Sequence, residues 1–409
     1  MEVVEEDVVI VGAGISGLTT SLGLHRLGIR SLVLESWDSL RTTGFALTTW
    51  TNAWKALEAI GVADALRITN QRLDGSIAYS TISGLPVFGM SLKAKGKRGD
   101  HEVRCVQRKL LLEALANELP SGTIRFSSKV VSIEESGYFK LLHLADGTIL
   151  KAKVLVGCDG VNSVVAKWLG FKQLAFTGKS AIRGQANFKR NHGFDPISMR
   201  FFGHGVRSGV IPCDDKTVYW YFTWDPSSQE KGMEENPAHL RQFVLSKLGK
   251  MPDEVKAAIE NTELDAFISS PLRYRPPWEV LWGNISKGNV CVAGDAFHPM
   301  TPDLGQGGCA ALEDGVVLAR CIGEALLKNS DEGEQGLEEY SKKIQMGLNK
   351  YANERRWRSF DLMSTAYVVG LMQGSEGKLI ALLNKFLGPF MPMLLLKKAD
   401  FDCGKLSNT

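Results

Sequence analysis

Val8-Val9-Ile10-Val11-Gly12-Ala13-Gly14-Ile15-Ser16-Gly17 joins an apolar run to a Gly-x-Gly-x-x-Gly turn, after which Ile15, Leu18 and Leu22 recur at helical spacing. The stretch therefore predicts a strand, a tight turn and a helix. Gly12 permits the turn, Gly14 lets a backbone approach a pyrophosphate, and Gly17 lets the helix pack against the strand. The helix start, with Ile15 and Ser16, presents unpaired amides and a positive dipole end to phosphate oxygens. Eighteen residues beyond Gly17, the apolar run Ser31-Leu32-Val33-Leu34 ends in Glu35, whose carboxylate suits ribose hydroxyls. This unit predicts dinucleotide binding, but it does not by itself separate NAD from FAD.

A second stretch separates them. Asn289-Val290-Cys291-Val292-Ala293 reads as a buried strand and runs into Gly294-Asp295-Ala296-Phe297-His298-Pro299. Gly305-Gln306-Gly307-Gly308 then leads into a helix beginning near Cys309, with Leu312, Val316 and Ala319 at helical spacing. Asp295 at a strand end can hold the sugar-alcohol chain of a flavin. Amides at the following helix start can hold the negative charge of a reduced flavin's pyrimidine ring.

With these motifs the chain resembles the class A FAD-dependent aromatic hydroxylases, which include salicylate and 4-hydroxybenzoate hydroxylases and, more distantly, zeaxanthin epoxidase. The resemblance covers most of the chain. It is carried also by Cys158-Asp159-Gly160-Val161-Asn162-Ser163, which looks like the family's Asp-Gly motif, by Arg108, and by the segment Arg41 to Ala53. It implies that Arg41, Arg108, Asp159 and Asp295 contact bound FAD. It implies that Pro302 lines the ring, and that Gly305, Gln306, Gly307 and Gly308 offer amides to it. His298 is a candidate for proton transfer, although its motif position also suits shaping of the loop. Asn52 reads as a helix cap or a polar wall. The family usually has arginine three residues after Ser163, where this chain has Ala166 beside Lys167. That departure bears on docking of the nicotinamide donor, and the choice between NADH and NADPH stays open.

Composition suits such an enzyme. The chain has 409 residues, too many for one ordinary core of about 100–200. Its 44% apolar and 23% charged residues are ordinary globular proportions, and a net charge of +3 gives no reason to expect nucleic acid. Seven scattered cysteines show no paired metal-ligand spacing, so no metal is expected, and reduced thiols suit the cytoplasm. The longest apolar region, Leu379 to Leu396, is broken by Asn384, Lys385, Gly388, Pro389 and Pro392, which argues against an integral membrane segment.

The expected fold is α/β: a Rossmann-like FAD-binding domain, an inserted mixed β-sheet substrate domain, and a C-terminal helical part. Residues 1–75, 100–178 and 280–335 are assigned to the first, 76–99 and 179–279 to the second, and 336–409 to the third. Thr217-Val218-Tyr219-Trp220-Tyr221-Phe222-Thr223-Trp224 is the clearest strand of the inserted sheet. Alternation predicts that either Tyr219 with Tyr221, or Trp220 with Phe222 and Trp224, faces the flavin. Tyr219, Tyr221 and Arg183 are the candidate substrate contacts, with His204 and Arg207 as further cations.

No second Gly-x-Gly-x-x-Gly follows a later strand, so NADH or NADPH is expected to bind transiently. The resemblance implies an NAD(P)H-consuming, O2-dependent monooxygenase that hydroxylates a small aromatic or electron-rich compound through a flavin C4a-hydroperoxide. Two alternatives stand beside it: an epoxidase of an apolar terpenoid, with Leu379 to Leu396 touching a membrane, and a non-catalytic flavin-binding protein.

Overall fold

The computed structural model describes residues 4–203, 205–226, 236–327, 336–374 and 391–406. His204 and residues 379–390 of the apolar region fall outside them.

The opening unit folds as its pattern predicts. Strand Val4–Val11 runs into helix Ile15–Arg26, and the next strand, Leu32–Leu34, pairs parallel beside the first. On its other side the first strand pairs parallel with Ile149–Gly157, which in turn takes Val290–Val292 in parallel. Val9, Ile10, Leu155, Val156 and Val290 are fully buried, because helices cover this parallel sheet. An eight-stranded sheet results, two of whose strands, Val130–Ser136 and Phe139–Leu144, form an antiparallel arm.

Helix Gly307–Leu327 lies against helix Ile15–Arg26 at very short range. Small residues make the approach possible: a Cβ on Gly23 would sit 2.6 Å from the Ala319 Cβ, and one on Gly315 would sit 2.6 Å from Thr19. A larger residue at either contact would force the helices apart. The crossing brings the two glycine-rich helix starts to one cavity.

The second sheet has seven strands in the order Phe267–Tyr274, Ala175–Asn187, Thr217–Trp224, Val206–Pro212, Ile197–Gly203, Gly75–Ser80, Pro86–Ser91. All its pairings are antiparallel except that of Ile197–Gly203 with Gly75–Ser80, so it is mixed, as expected. Its outer face carries Trp220, Phe222 and Trp224, packed under helices Pro237–Lys247 and Asp253–Glu260. Its inner face turns toward the nucleotide-binding sheet.

The C-terminal part is dominated by one 38-residue helix, Leu337–Gly374. Ile344 and Leu348 are fully buried and Tyr340 packs beside them. Each fully buried aliphatic side chain of this kind contributes about 1.5–3 kcal/mol. The helix therefore braces the back of helix Gly307–Leu327. Among the described residues, no helix is long and apolar enough to cross a membrane.

Candidate active site

One cavity of about 1310 Å³ lies between the two sheets. At one end it is walled by Gly12, Gly14, Ile15, Ser16 and Glu35; its middle is walled by Arg41, Arg108, Asp159 and Asp295. At the other end lie Pro302, Gly305, Gly307 and Gly308, facing Arg183, Tyr219 and Tyr221 on the second sheet.

The first end is built for an anion. Gly12 has φ +102°, and a Cβ there would sit 2.5 Å from the Cys158 carbonyl oxygen, so only glycine fits. Gly14 has nothing within 4 Å of a Cβ position and opens onto the cavity. The first intrahelical bond runs from Leu18 N to Gly14 O, leaving the amides of Ile15, Ser16 and Gly17 ahead of it. Gly17 itself is not part of the wall; a Cβ there would lie 2.0 Å from Gly12 O, so its task is close packing. Glu35 is held by Ala13 N at 2.9 Å, Trp37 N at 3.0 Å and Ser36 Oγ at 3.1 Å, with acceptor capacity left over.

In the middle, Asp159 has a local role as well. Its carboxylate accepts from Ser163 Oγ at 2.5 Å and Val164 N at 2.7 Å, closing the start of helix Val164–Trp168. Burial raises its pKa against the pull of these donors. Arg108 donates to the Arg41 carbonyl; burial lowers its pKa, Asp295 opposes that, and the charges of Arg41 and Arg183 add to the lowering. Ala166 is buried in the core, while the neighbouring Lys167 is exposed and lies off the cavity wall.

At the far end, Pro302 opens a short turn closed by Gly305 at φ +63°. The helix begins at Gly307, two residues before the expected Cys309. Its first bond runs from Ala310 N to Gln306 O, so the amides of Gly307, Gly308 and Cys309 precede it. The Gln306 side chain does not reach the cavity. It is buried and accepts from Asn52 Nδ2 at 2.9 Å.

His298 also turns away. Its ring is fully buried, off the cavity wall, with Nε2 2.6 Å from Asp314 Oδ2. The carboxylate partner assigns the proton to Nε2. Asp314 also accepts from Gly294 N at 2.7 Å and from Arg355 Nε at 2.6 Å. Burial alone would raise the Asp314 pKa, but His298 and Arg355 hold it below the usual carboxylate range. The ring is therefore tied through Asp314 to the loop that follows Gly294, and it is not among the side chains that line the cavity.

Asn52 corrects the expectation of a helix cap. Trp50 holds the cap position, and Asn52, inside helix Thr51–Ala59, donates to Gln306 and at 2.6 Å to Glu313 Oε1. Glu313 is bound as well by Arg355 at 2.7 Å and Arg358 at 2.8 Å. Burial would raise its pKa; the two guanidiniums outweigh that and hold it at about 2. Sequence reading missed this network because its members are up to about 300 positions apart.

On the second sheet, the Tyr219, Tyr221 and Thr223 side of the strand faces the cavity, whereas Trp220, Phe222 and Trp224 pack outward. Burial pushes the phenols of Tyr219 and Tyr221 upward, so both are neutral donors near pH 7. Arg183 donates to Ser270 Oγ at 2.9 Å. Arg207 pairs with Asp303 and donates to Gly370 O at 2.6 Å. Arg200, also on the wall, was not anticipated. Its signal was the alternation of Ser198, Arg200 and Phe202, all of which line the cavity.

A family profile described as an FAD binding domain matches residues 5–350 of this chain. The chain belongs to that family. Monooxygenase 2 of Arabidopsis thaliana is 57% identical over 98% of each chain, and Monooxygenase 1 of the same plant is 35% identical over 98% of this chain and 100% of its own. FAD-dependent urate hydroxylase of Mycolicibacterium vanbaalenii is 26% identical over 76% of this chain and 78% of its own. In fold the chain is similar to Klebsiella pneumoniae HpxO crystallised with FAD and uric acid, at a TM-score of 0.81 and 22% identity over 99% and 98% of the two chains. The protein is thus an FAD-dependent monooxygenase, an oxidoreductase with the Rossmann-like sheet, mixed second sheet and C-terminal helices expected of that family.

Proposed function

We propose that this monooxygenase uses NAD(P)H and O2 to hydroxylate a small aromatic or similarly electron-rich compound. The observation that carries the reading is the continuity of one cavity from the amides at Ile15 and Ser16 to the phenols of Tyr219 and Tyr221.

The residues fit FAD. Gly12 and Gly14 leave space for a pyrophosphate, the amides of Ile15 and Ser16 face it, and Glu35 offers acceptors to a ribose. Arg41, Arg108, Asp159 and Asp295 would flank the middle of the cofactor, and Pro302, Gly305, Gly307 and Gly308 its ring. When bound, FAD supplies hydride acceptance and oxygen activation; that chemistry is the cofactor's own.

This chain's residues place and protect the reactants. The unbonded amides of Gly307 and Gly308 stabilise negative charge at the ring end without any reorganisation. Gln306 and His298 act as positioning residues: the first is tied to Asn52, the second to Asp314. Tyr219 and Tyr221, kept protonated by burial, donate hydrogen bonds to substrate and close one side of the chamber to water. Arg183 stands on the same wall and adds positive charge.

The test is substrate-dependent NAD(P)H oxidation in labelled dioxygen, followed by mass analysis of the product. Incorporation of one labelled oxygen atom is expected. NAD(P)H oxidation that yields only hydrogen peroxide with every aromatic compound offered overturns the reading.

A further inference from the structure

We propose that Arg275 is a positioning residue for the cofactor: its guanidinium locks the backbone after Asp295 to the two chain crossings between the sheets, and so sets where Asp295 and Pro302 meet FAD. This rests on the placement of those two residues beside the cofactor.

The crossings meet at one end of the second sheet. The chain leaves helix Val164–Trp168 through Phe171 and Lys172 and enters strand Ala175–Asn187. It returns from strand Phe267–Tyr274 through Arg275 into helix Pro277–Trp282. Ala175 and Tyr274 are direct partners, so Arg275 emerges beside the outgoing chain. There it is 3% exposed, with its guanidinium 4.2 Å from the centre of the Phe171 ring.

From that place it gathers backbone carbonyls. Its Nε donates to Phe297 O at 3.0 Å, Nη2 to Ala296 O at 3.2 Å and Nη1 to Lys172 O at 3.4 Å. The Arg275 amide donates to Pro299 O at 3.0 Å. Ala296 and Phe297 are fully buried, and a buried carbonyl without a donor is costly. A planar fork reaches two adjacent carbonyls and a third on another segment, which a lysine ammonium cannot copy. Glu279, 3.5 Å away, balances the charge, and Arg275 itself stays off the cavity wall.

The locked segment lies between two parts of that wall. Asp295, Pro299 and Pro302 line the cavity, whereas Ala296, Phe297 and His298 stand behind it. Asp314, on helix Gly307–Leu327, holds Gly294 N and His298 Nε2. The segment is thus gripped by a helix of the nucleotide side and, through Arg275, by the crossings into the second sheet. Removing Arg275 releases the second grip and leaves the first, so Asp295 and Pro299 shift while the nucleotide-binding sheet stays folded.

The test starts from FAD-loaded protein and follows FAD release on dilution by its fluorescence, together with the visible absorption bands, which report the ring's surroundings, and Tm. R275M, of similar length but without donors, should weaken FAD about tenfold or more and shift its bands. F171L removes the ring beneath the guanidinium and keeps every carbonyl bond, so it should lower Tm and leave affinity and bands unchanged. R275K should fall between wild type and R275M, and it carries the test if R275M fails to fold. Wild-type affinity and bands in R275M or R275K overturn the proposal. F171L moving both as far as R275M overturns it too, because general loosening would then explain the effect. D295N should weaken FAD whatever Arg275 does. An unweakened D295N strikes the placement of Asp295 and this proposal with it, whereas a weakened D295N beside an unchanged R275M strikes the proposal alone.

Discussion

The side-chain amide of Asn52 lies 2.9 Å from the side-chain oxygen of Gln306, tying helix Thr51–Ala59 to the residue that starts helix Gly307–Leu327. The same nitrogen reaches Glu313, so one buried amide fixes the peptide run that would meet the flavin ring.

Replacing Asn52 by leucine should cost about 1–3 kcal/mol of stability, because Gln306 and Glu313 lose a buried donor. If the tether also positions the amides of Gly307 and Gly308, the FAD reduction potential should fall, since the reduced ring would be less well held. A thermal melt and a redox titration of N52L check both. A changed Tm with an unchanged potential would reduce Asn52 to a packing role.

Two glycines of the first turn should respond differently. G12A places a Cβ against the Cys158 carbonyl in a backbone conformation with φ +102°, so it should lower Tm in the FAD-free protein. G14A meets nothing within 4 Å and should leave that Tm unchanged, yet weaken FAD about tenfold or more by intruding where the pyrophosphate approaches. Fluorescence titration with FAD and paired melts measure the contrast.

Stability should carry an acid limb from Glu313. Its pKa is depressed from 4.5 to about 2, so its contribution is fully present above 4.5 and is lost as pH falls through 2. The displacement corresponds to on the order of 3 kcal/mol. E313Q should be less stable than wild type at neutral pH and should flatten the fall between those values. Urea melts at several pH values test this, and parallel acid limbs in both proteins would contradict it.

Restoring the family's arginine should not repair anything. Ala166 is buried in the core, so A166R should destabilise by about 1–3 kcal/mol through overpacking. Stopped-flow reduction of the FAD by NADH and NADPH would show no gain in rate. A faster reduction in A166R would mean that the side chain escapes to the surface and meets the donor.

How far the sequence could be read follows from the range of each signal. The strand, turn and helix around Gly12 to Gly17 are local, and their pattern specified them. Alternation along Thr217–Trp224 narrowed the inner face to two choices, and the tyrosine set faces inward because the tryptophans and Phe222 pack under two helices. Asn52, Glu313 and Arg355 gave no such sign. Their contacts join separate elements, and periodicity says which side a residue faces, never what lies opposite. His298 and Gln306 sit in the expected motif, but their side chains point into the protein, where Asp314 and Asn52 had no local signature.

The most direct test is a crystal structure of the protein loaded with FAD. The account predicts an extended cofactor with its pyrophosphate on the amides of Ile15 and Ser16, and its ring between Gly305–Gly308 and the phenols of Tyr219 and Tyr221. A ring lodged away from those tyrosines, or a pyrophosphate remote from Gly14, would contradict it.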